Sequence, residues 1–403
     1  MSPESTYFRK GFGLKTEVQD TLSADYTGQL VDLLRARDYT LSHGAVTVRL
    51  AKEFGFCYGV ERAVEYAYQA RAKFPERRIY LAGEIIHNPH VNQKLREMGV
   101  VFLQPGETGF DYTGVKPEDV VILPAFGVTI GDFETLRAIG CVMVDTTCGS
   151  VLNVWKRVEN YAKDGFTSLI HGKYYHEETR ATASQVEKYP GGTYIVVRNM
   201  EQAMEVCDYI EGNGLARDAF LDKYRKQASP RFDPDEHLLR VGVANQTTML
   251  ARESLAIGEE VGKAMARRHG EAHRAGHFRT FDTICSATQD RQDAVNELLL
   301  EPLDVMLVIG GYNSSNTISL AALCAERVPT FHVADADCID VEQGTIRHIP
   351  PGATVEVETP NWLASVGDVR VGLTAGASTP NNKIGEAVSR VFATRGVDVS
   401  QIV

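Results

Sequence analysis

Three cysteines stand where a β-rich run turns into an amphipathic helix: Cys57 in FGFCYGVERA, Cys148 in DTTCGSVLNV and Cys285 in DTICSATQDR. The first turn of a helix has unpaired N–H groups and a partial positive charge, which stabilise a thiolate and lower its pKa. Thiolates are the form that binds metals and iron–sulfur clusters. A single cysteine at such a turn is usually a small core residue. Three at matching corners favour a soft, anionic, three-point socket. Their separations, 91 and 137 residues, are unlike the short paired spacings of zinc, which also prefers four ligands. Of the others, Cys141 opens an apolar strand, while Cys207 and Cys324 fall inside helical patterns. Cys338, in ADADCIDVEQ, also follows a strand and an acidic loop and competes for a ligand role.

A second set of residues could hold an anion or move protons. EIIHNPH offers His87 and His90, and HGKYYHEET offers His171, His176, Glu177 and Glu178. VGVANQTT brings Asn245, Gln246, Thr247 and Thr248; VIGGYNSSN brings Asn313, Ser314, Ser315 and Asn316; TAGAST brings Ser378 and Thr379. Small residues let backbone N–H groups and hydroxyls wrap a phosphate. Any one of these loops is equally a capped helix start. Their recurrence behind successive strands favours one shared anionic site. Glu178, two residues after His176, is placed either to relay protons or to form a surface ion pair.

The elements that must position these groups alternate. Strands are expected at AVTVRL, RIYLAGEII, DVVILPA, CVMVD, TSLIHG, GTYIVV, RVGVANQ, DVMLVIGG, PTFHVAD and VRVGLTAG. Between them lie helical stripes such as Val60, Ala63, Val64, Ala67 and Val151, Val154, Trp155, Val158. This βαβ rhythm predicts an α/β protein with parallel-type sheets, in which ligands gather at the carboxyl ends of strands. Residues 215–240, charged and proline-bearing, read as a surface insertion, and 266–279 as a helix end followed by a solvated basic loop. Residues 1–45 read as a partly ordered N-terminal extension.

Composition narrows the classes. The 403 residues carry a net charge of −11, which argues against general nucleic-acid binding but not against a small anion held locally. Seven cysteines in a chain this long point away from a disulfide framework. No apolar run reaches the ~20 residues of a membrane helix. The acidic N-terminus is unlike a transit peptide, so a cytoplasmic address is expected.

Taken in order, FGFCYGVERA, EIIHNPHVN, DTTC, HGKYYHEET, NQTT, DTICSATQDRQDAV, GGYNSSN and TAGAST resemble the 4-hydroxy-3-methylbut-2-enyl diphosphate reductase family over about residues 46–390. The resemblance implies the last step of the methylerythritol phosphate route to isoprenoids: two electrons and two protons remove an allylic hydroxyl, giving isopentenyl and dimethylallyl diphosphate. It implies a trefoil of three α/β domains (46–147, 148–283 and 284–375, with a C-terminal segment 376–403) around a [4Fe–4S] cluster. The implied ligands are Cys57, Cys148 and Cys285, which leaves Cys338 outside any family motif. With only three thiolates, one iron is open to act as a Lewis acid. Carried over by motif, Glu178 delivers protons and Thr247 lies beside the hydroxyl, while His87, His176, Ser314, Ser315, Asn316 and Ser378 bind the diphosphate. Many bacterial members have a further histidine in the motif that reads VILPAFGVT here; its position is Phe126, as in the plastid and cyanobacterial branch. The implied electron donor is a ferredoxin or flavodoxin. Two other readings stand beside this one. A three-cysteine hydro-lyase would need no reductant, and a cofactor-free binding or structural zinc protein would hold no iron.

Overall fold

A computed structural model describes residues 6–106, 109–281, 283–399 and 402; Asp282 of the DTIC stretch and residues 1–5 of the extension lie outside them. The chain divides into two compact units. The first comprises residues up to Lys10, Glu76–Gly83 and Val101–Cys285, and the second Gly11–Pro75, Glu84–Val100 and everything from Ser286 onward. Among the described residues, no helix is long and apolar enough to cross a membrane.

The first unit holds two sheets. One runs in the order Tyr7–Phe8, Val142–Asp145, Val120–Leu123, Ile79–Ala82, Val100–Leu103. The other runs Phe278–Thr280, Val241–Asn245, Thr167–His171, Tyr194–Val197, with every pairing parallel. The inner strands are unbroken apolar runs because helices cover both faces, so no solvent side forces alternation. Val120, Val121 and Ile122 are fully buried, as are Leu169 and Ile170.

The second unit is built on a five-stranded sheet ordered Thr330–Val333, Val305–Ile309, Val369–Ala375, Val46–Leu50, Thr40–His43. Only its last pairing is antiparallel. A small antiparallel ribbon, Ile339–Asp340, Thr345–His348 and Val357–Pro360, follows. The α/β class is therefore as expected, with mostly parallel sheets.

Two stretches read as peripheral are woven into the cores. The N-terminal residues supply the edge strand Tyr7–Phe8 and the helices Lys15–Tyr26 and Gln29–Ala36. The second of these helices is amphipathic and buries Leu30, Val31 and Leu34. The charged stretch 215–240 forms helices at Arg217–Tyr224 and Pro234–His237. Its Phe220, Tyr224, Phe232 and Leu238 join the cluster containing Val241 and Ile257. High charge conceals these side chains because the polar residues between them face water.

Candidate functional site

The three corners share one backbone device. Cys57 and Cys148 are the N-cap residues of the helices Tyr58–Lys73 and Gly149–Lys163, and Cys285 directly precedes Ser286–Leu298. Each cysteine N–H donates to a carbonyl two residues past the end of the parallel strand neighbouring its own. Cys57 donates to Ala377 at 3.2 Å, Cys148 to Ala125 at 3.0 Å and Cys285 to Thr247 at 3.4 Å. The acceptor loops follow Val369–Ala375, Val120–Leu123 and Val241–Asn245. The amide of the turn is thereby satisfied while the thiol stays at the helix N-terminus.

Exposure separates the cysteines. Cys57, Cys148 and Cys285 are free and half-buried, whereas the other four are free and buried. Burial pushes the Cys141 thiol up to about 11 and those of Cys207 and Cys324 up to about 12, so these three stay protonated near neutrality. Cys338 lies in a short 3₁₀ turn, Ala336–Cys338, within the hydrophobic core of the second unit. No helix starts behind it: the chain enters the strand Ile339–Asp340 instead.

In the first unit, the loops behind Thr167–His171 and Val241–Asn245 assemble around Glu178. His176 is the N-cap of Glu177–Glu187, and its Nδ1 accepts from the Glu178 N–H at 3.1 Å. Glu178, only 1 % exposed, accepts from the Thr247 N–H at 2.6 Å and from the Thr247 hydroxyl at 3.0 Å. The carbonyl of Thr247 in turn receives the Cys285 N–H. Glu178, Thr247 and Cys285 thus form one hydrogen-bonded series. Gln246 latches the loop in place. Its Oε1 accepts from the Lys173 N–H at 3.1 Å and the Thr179 hydroxyl at 3.2 Å, and its Nε2 donates to Thr248 Oγ1 at 2.9 Å. The Lys173 side chain is half-buried in this loop, and desolvation lowers its pKa. Phe126 packs against the His176 ring in a T-shaped contact with centroids 5.7 Å apart, so an apolar ring borders this imidazole.

In the second unit, the loops behind Val305–Ile309 and Val369–Ala375 meet His87, Asn316 and Ser378. His87 Nδ1 lies 2.9 Å from Glu84 Oε2, and Asn313 Nδ2 donates to the same oxygen at 3.1 Å. A carboxylate on Nδ1 fixes the ring's orientation. Ser378 Oγ donates to the His87 carbonyl at 3.1 Å. Gly311 is required for this approach, since a Cβ there would come within 2.7 Å of the His87 carbonyl oxygen. Ser314 caps Ser315–Ala325, accepting from the Thr317 N–H. Asn316, 3 % exposed, accepts from the Ala377 N–H at 2.9 Å, while its Nδ2 is a buried donor with no partner among the described residues. A buried donor left unpaired is costly, and a bound anion would satisfy it.

Several contributors escape a reading by motif. Ser150, two residues after Cys148, donates to Cys285 Sγ at 3.3 Å. Buried Arg291 donates to the Gly55 carbonyl at 2.6 Å and to that of Ala287 at 2.7 Å, bracing the turn before Cys57. Glu84 opens the quoted EIIHNPH stretch yet carries no signal of its own. The only trace of Arg291 in the sequence is a charged residue at a position where the helix must be buried.

The fold and these loops define an α/β protein whose strand-end loops carry cysteine corners and a hydroxyl- and amide-rich polar lining. More particularly, the LytB protein family matches residues 48–392, and the chain belongs to that family. A relative from Gloeobacter violaceus is 50% identical over 399 residues, covering 98% of this chain and 94% of its own length. Another, from Thermosynechococcus vestitus, is 48% identical over 392 residues, covering 97% and 95%. Both are named 4-hydroxy-3-methylbut-2-enyl diphosphate reductase. A solved (E)-4-hydroxy-3-methyl-but-2-enyl diphosphate reductase, described as the terminal enzyme of the non-mevalonate pathway, is 29% identical with a TM-score of 0.51. That match covers 86% of this chain and 99% of the solved one. The diphosphate reductase of Plasmodium falciparum, 21% identical with a TM-score of 0.62 over 86% of this chain and 87% of its own, shares the fold.

Proposed function

We propose that this chain reduces 4-hydroxy-3-methylbut-2-enyl diphosphate, removing the allylic hydroxyl as water with two electrons and two protons to give isopentenyl and dimethylallyl diphosphate. Membership of the reductase family supports the reaction. The observation that carries the roles is Glu178, buried and gripped through both oxygens by Thr247, whose carbonyl takes the Cys285 amide.

The donor set fits an iron–sulfur group: three free, half-buried cysteines at helix starts, with the remaining thiols in the cores. Cys57, Cys148 and Cys285 would hold a [4Fe–4S] cluster, which when bound supplies electrons and one open, Lewis-acidic iron. Glu178 holds the proton to be delivered, and burial keeps water from competing for it. Thr247 orients Glu178 and offers its hydroxyl to the substrate alcohol. The diphosphate is assigned to His87, His176, Ser314, Ser315, Asn316 and Ser378, a set of charge-capable and neutral donors suited to many phosphate oxygens. The unpaired Asn316 Nδ2 supports that assignment. The electrons are assigned to a ferredoxin or flavodoxin, and the setting to the cytoplasm.

The test is anaerobic purification with iron and sulfide analysis, followed by an assay with the hydroxylated diphosphate and a low-potential reductant. Bound iron and reductant-dependent formation of both products are expected. Turnover without reductant would point to a hydro-lyase, and absence of iron after reconstitution would end the cluster assignment. Cys148→Ser should lose both iron and activity.

A further inference from the structure

We infer that the face formed by the outer part of Gly149–Lys163 and the edge strand Phe278–Thr280 is the docking surface for an acidic electron-carrier protein. This rests on the reductase reading above, since a reductase must receive electrons from outside its substrate. Phe281 is 43% exposed directly after an edge strand. It is held from both sides: the Arg157 guanidinium lies 3.9 Å over its ring, and the Tyr161 ring stacks on it at 6.4 Å. Tyr161 is itself fixed, buried and donating to the Val243 carbonyl at 3.0 Å. Beside it, Arg240 and Arg279 both lie over buried Phe166, at 4.1 and 4.2 Å. Lys156 is exposed on the same helix, while Lys163 at its end turns aside to lie 5.2 Å over the Tyr189 ring.

Charge is the argument for the occupant. Of these cations only Arg279 has a carboxylate partner, Asp164; Lys156, Arg157, Lys163 and Arg240 have none among the described residues. Arg157 over the exposed ring, with Arg240 on Phe166 next along the chain from the Tyr161 helix, on a chain of net charge −11, makes a local field that selects an acidic partner and steers it in. Arginine and aromatic side chains are also the types that anchor interfaces.

Position is the second argument. The helix that carries Arg157 begins at Cys148, nine residues earlier, or about 13 Å along the axis at 1.5 Å per residue. Phe281 lies four residues before Cys285 in sequence. Phe281 meets Arg157 and Tyr161 in the later part of that helix, and Cys285 meets Ser150 at its start. The patch is therefore the outer end of two chain segments that lead to two of the three cysteine corners. Each turnover takes one electron from each of two reduced carriers and leaves both oxidised; with two protons, the hydroxyl departs as water.

The experiment compares two donors on the intact, iron-loaded enzyme: a reduced acidic [2Fe–2S] ferredoxin, and reduced methyl viologen, a small dication with no need of a docking face. Arg157→Glu and Phe281→Ala are made separately. Each should raise KM for the ferredoxin by about tenfold or more, with the viologen-driven kcat within twofold of the parent. In the parent, KM for the ferredoxin should climb with ionic strength. An unchanged ferredoxin KM in both variants, or a salt-independent one in the parent, overturns the docking face. If Arg157→Glu also loses the viologen-driven rate, it has perturbed the helix, and Phe281→Ala decides. A parent inactive with both donors would instead refute the reductase reading.

Discussion

The Cys148 and Cys285 corners share their backbone geometry and differ in what holds them. At Cys148 the pin is Asp145, three residues upstream and buried. Its Oδ1 accepts from the Thr147 N–H at 2.9 Å and from the Thr147 hydroxyl. Its Oδ2 accepts from the Tyr7 hydroxyl at 2.5 Å and lies 3.4 Å from Arg9 Nε. At Cys285 the pin is the end of the neighbouring parallel strand Val241–Asn245. The Thr283 hydroxyl donates to Asn245 Oδ1 and accepts from the Asn245 N–H at 3.1 Å, while Thr247 joins the corner to Glu178. One corner is thus tied to the chain's N-terminal strand and the other to the candidate acid. The same turn can be built twice from unrelated side chains, because only the backbone bond and the thiol are demanded of it.

The largest expected consequence falls on the Cys285 side. Glu178→Gln keeps the side chain's shape but removes the ionisable group and one acceptor for Thr247. Turnover should drop on the order of 10²–10³-fold, with iron content unchanged, in an anaerobic assay alongside iron analysis. Retained activity would move the proton role elsewhere. Lost iron would mean that Glu178 supports Cys285 more than it serves the reaction.

Acid should then tell the two sheets apart. The sheet behind Cys285 contains His171, fully buried at the end of its strand, with Nδ1 2.8 Å from Ser254 Oγ. Burial pushes its pKa down to about 4. The sheet behind Cys148 has no histidine among its described strand residues. Between the ordinary histidine pKa and about 4, the unfolded chain binds the extra proton and the folded one does not, so stability falls as pH falls through that window. The loss is roughly 3 kcal/mol once both values are passed. Hydrogen exchange should accelerate in Thr167–His171 before Val142–Asp145 as pH drops from 6.5 towards 4. The opposite order, or a flat pH response, would falsify this assignment.

Much of this contrast was hidden in the sequence, for physical reasons. Ten strands were legible, eight of them inner, because burial on both faces demands continuous Val, Ile and Leu runs, such as VVIL at 120–123. Tyr7–Phe8 and Phe278–Thr280 were not, because two or three residues cannot display a period. The cysteine corners were legible as a residue pattern, and the hydroxyl-rich loops as a composition. The bonds from each cysteine amide to a strand-end carbonyl were invisible, since a backbone acceptor leaves no mark on residue type. Asp145 could be read as part of a DTTC motif, but its partners Tyr7 and Arg9 lie about 140 residues away and reach it only through sheet pairing.

The smallest effect is the most specific. Tyr7→Phe removes one hydroxyl donor to the Asp145 carboxylate and leaves the ring contact with Phe133, 5.5 Å between centroids, in place. A hydrogen bond to a charged acceptor is worth about 1.5–3 kcal/mol when buried. Tyr7 is half-exposed and Arg9 remains beside the carboxylate, so about 1 kcal/mol is expected here. The loss should appear in urea denaturation of the anaerobic protein. It should also appear as faster exchange at Val142–Asp145, the strand paired with Tyr7–Phe8, and as quicker chelator-driven iron loss. Thr283→Val should do the converse, loosening Phe278–Thr280 and sparing Val142–Asp145. If both variants loosen both strands alike, the corners are held by one common framework, and the difference between their pins has no energetic meaning.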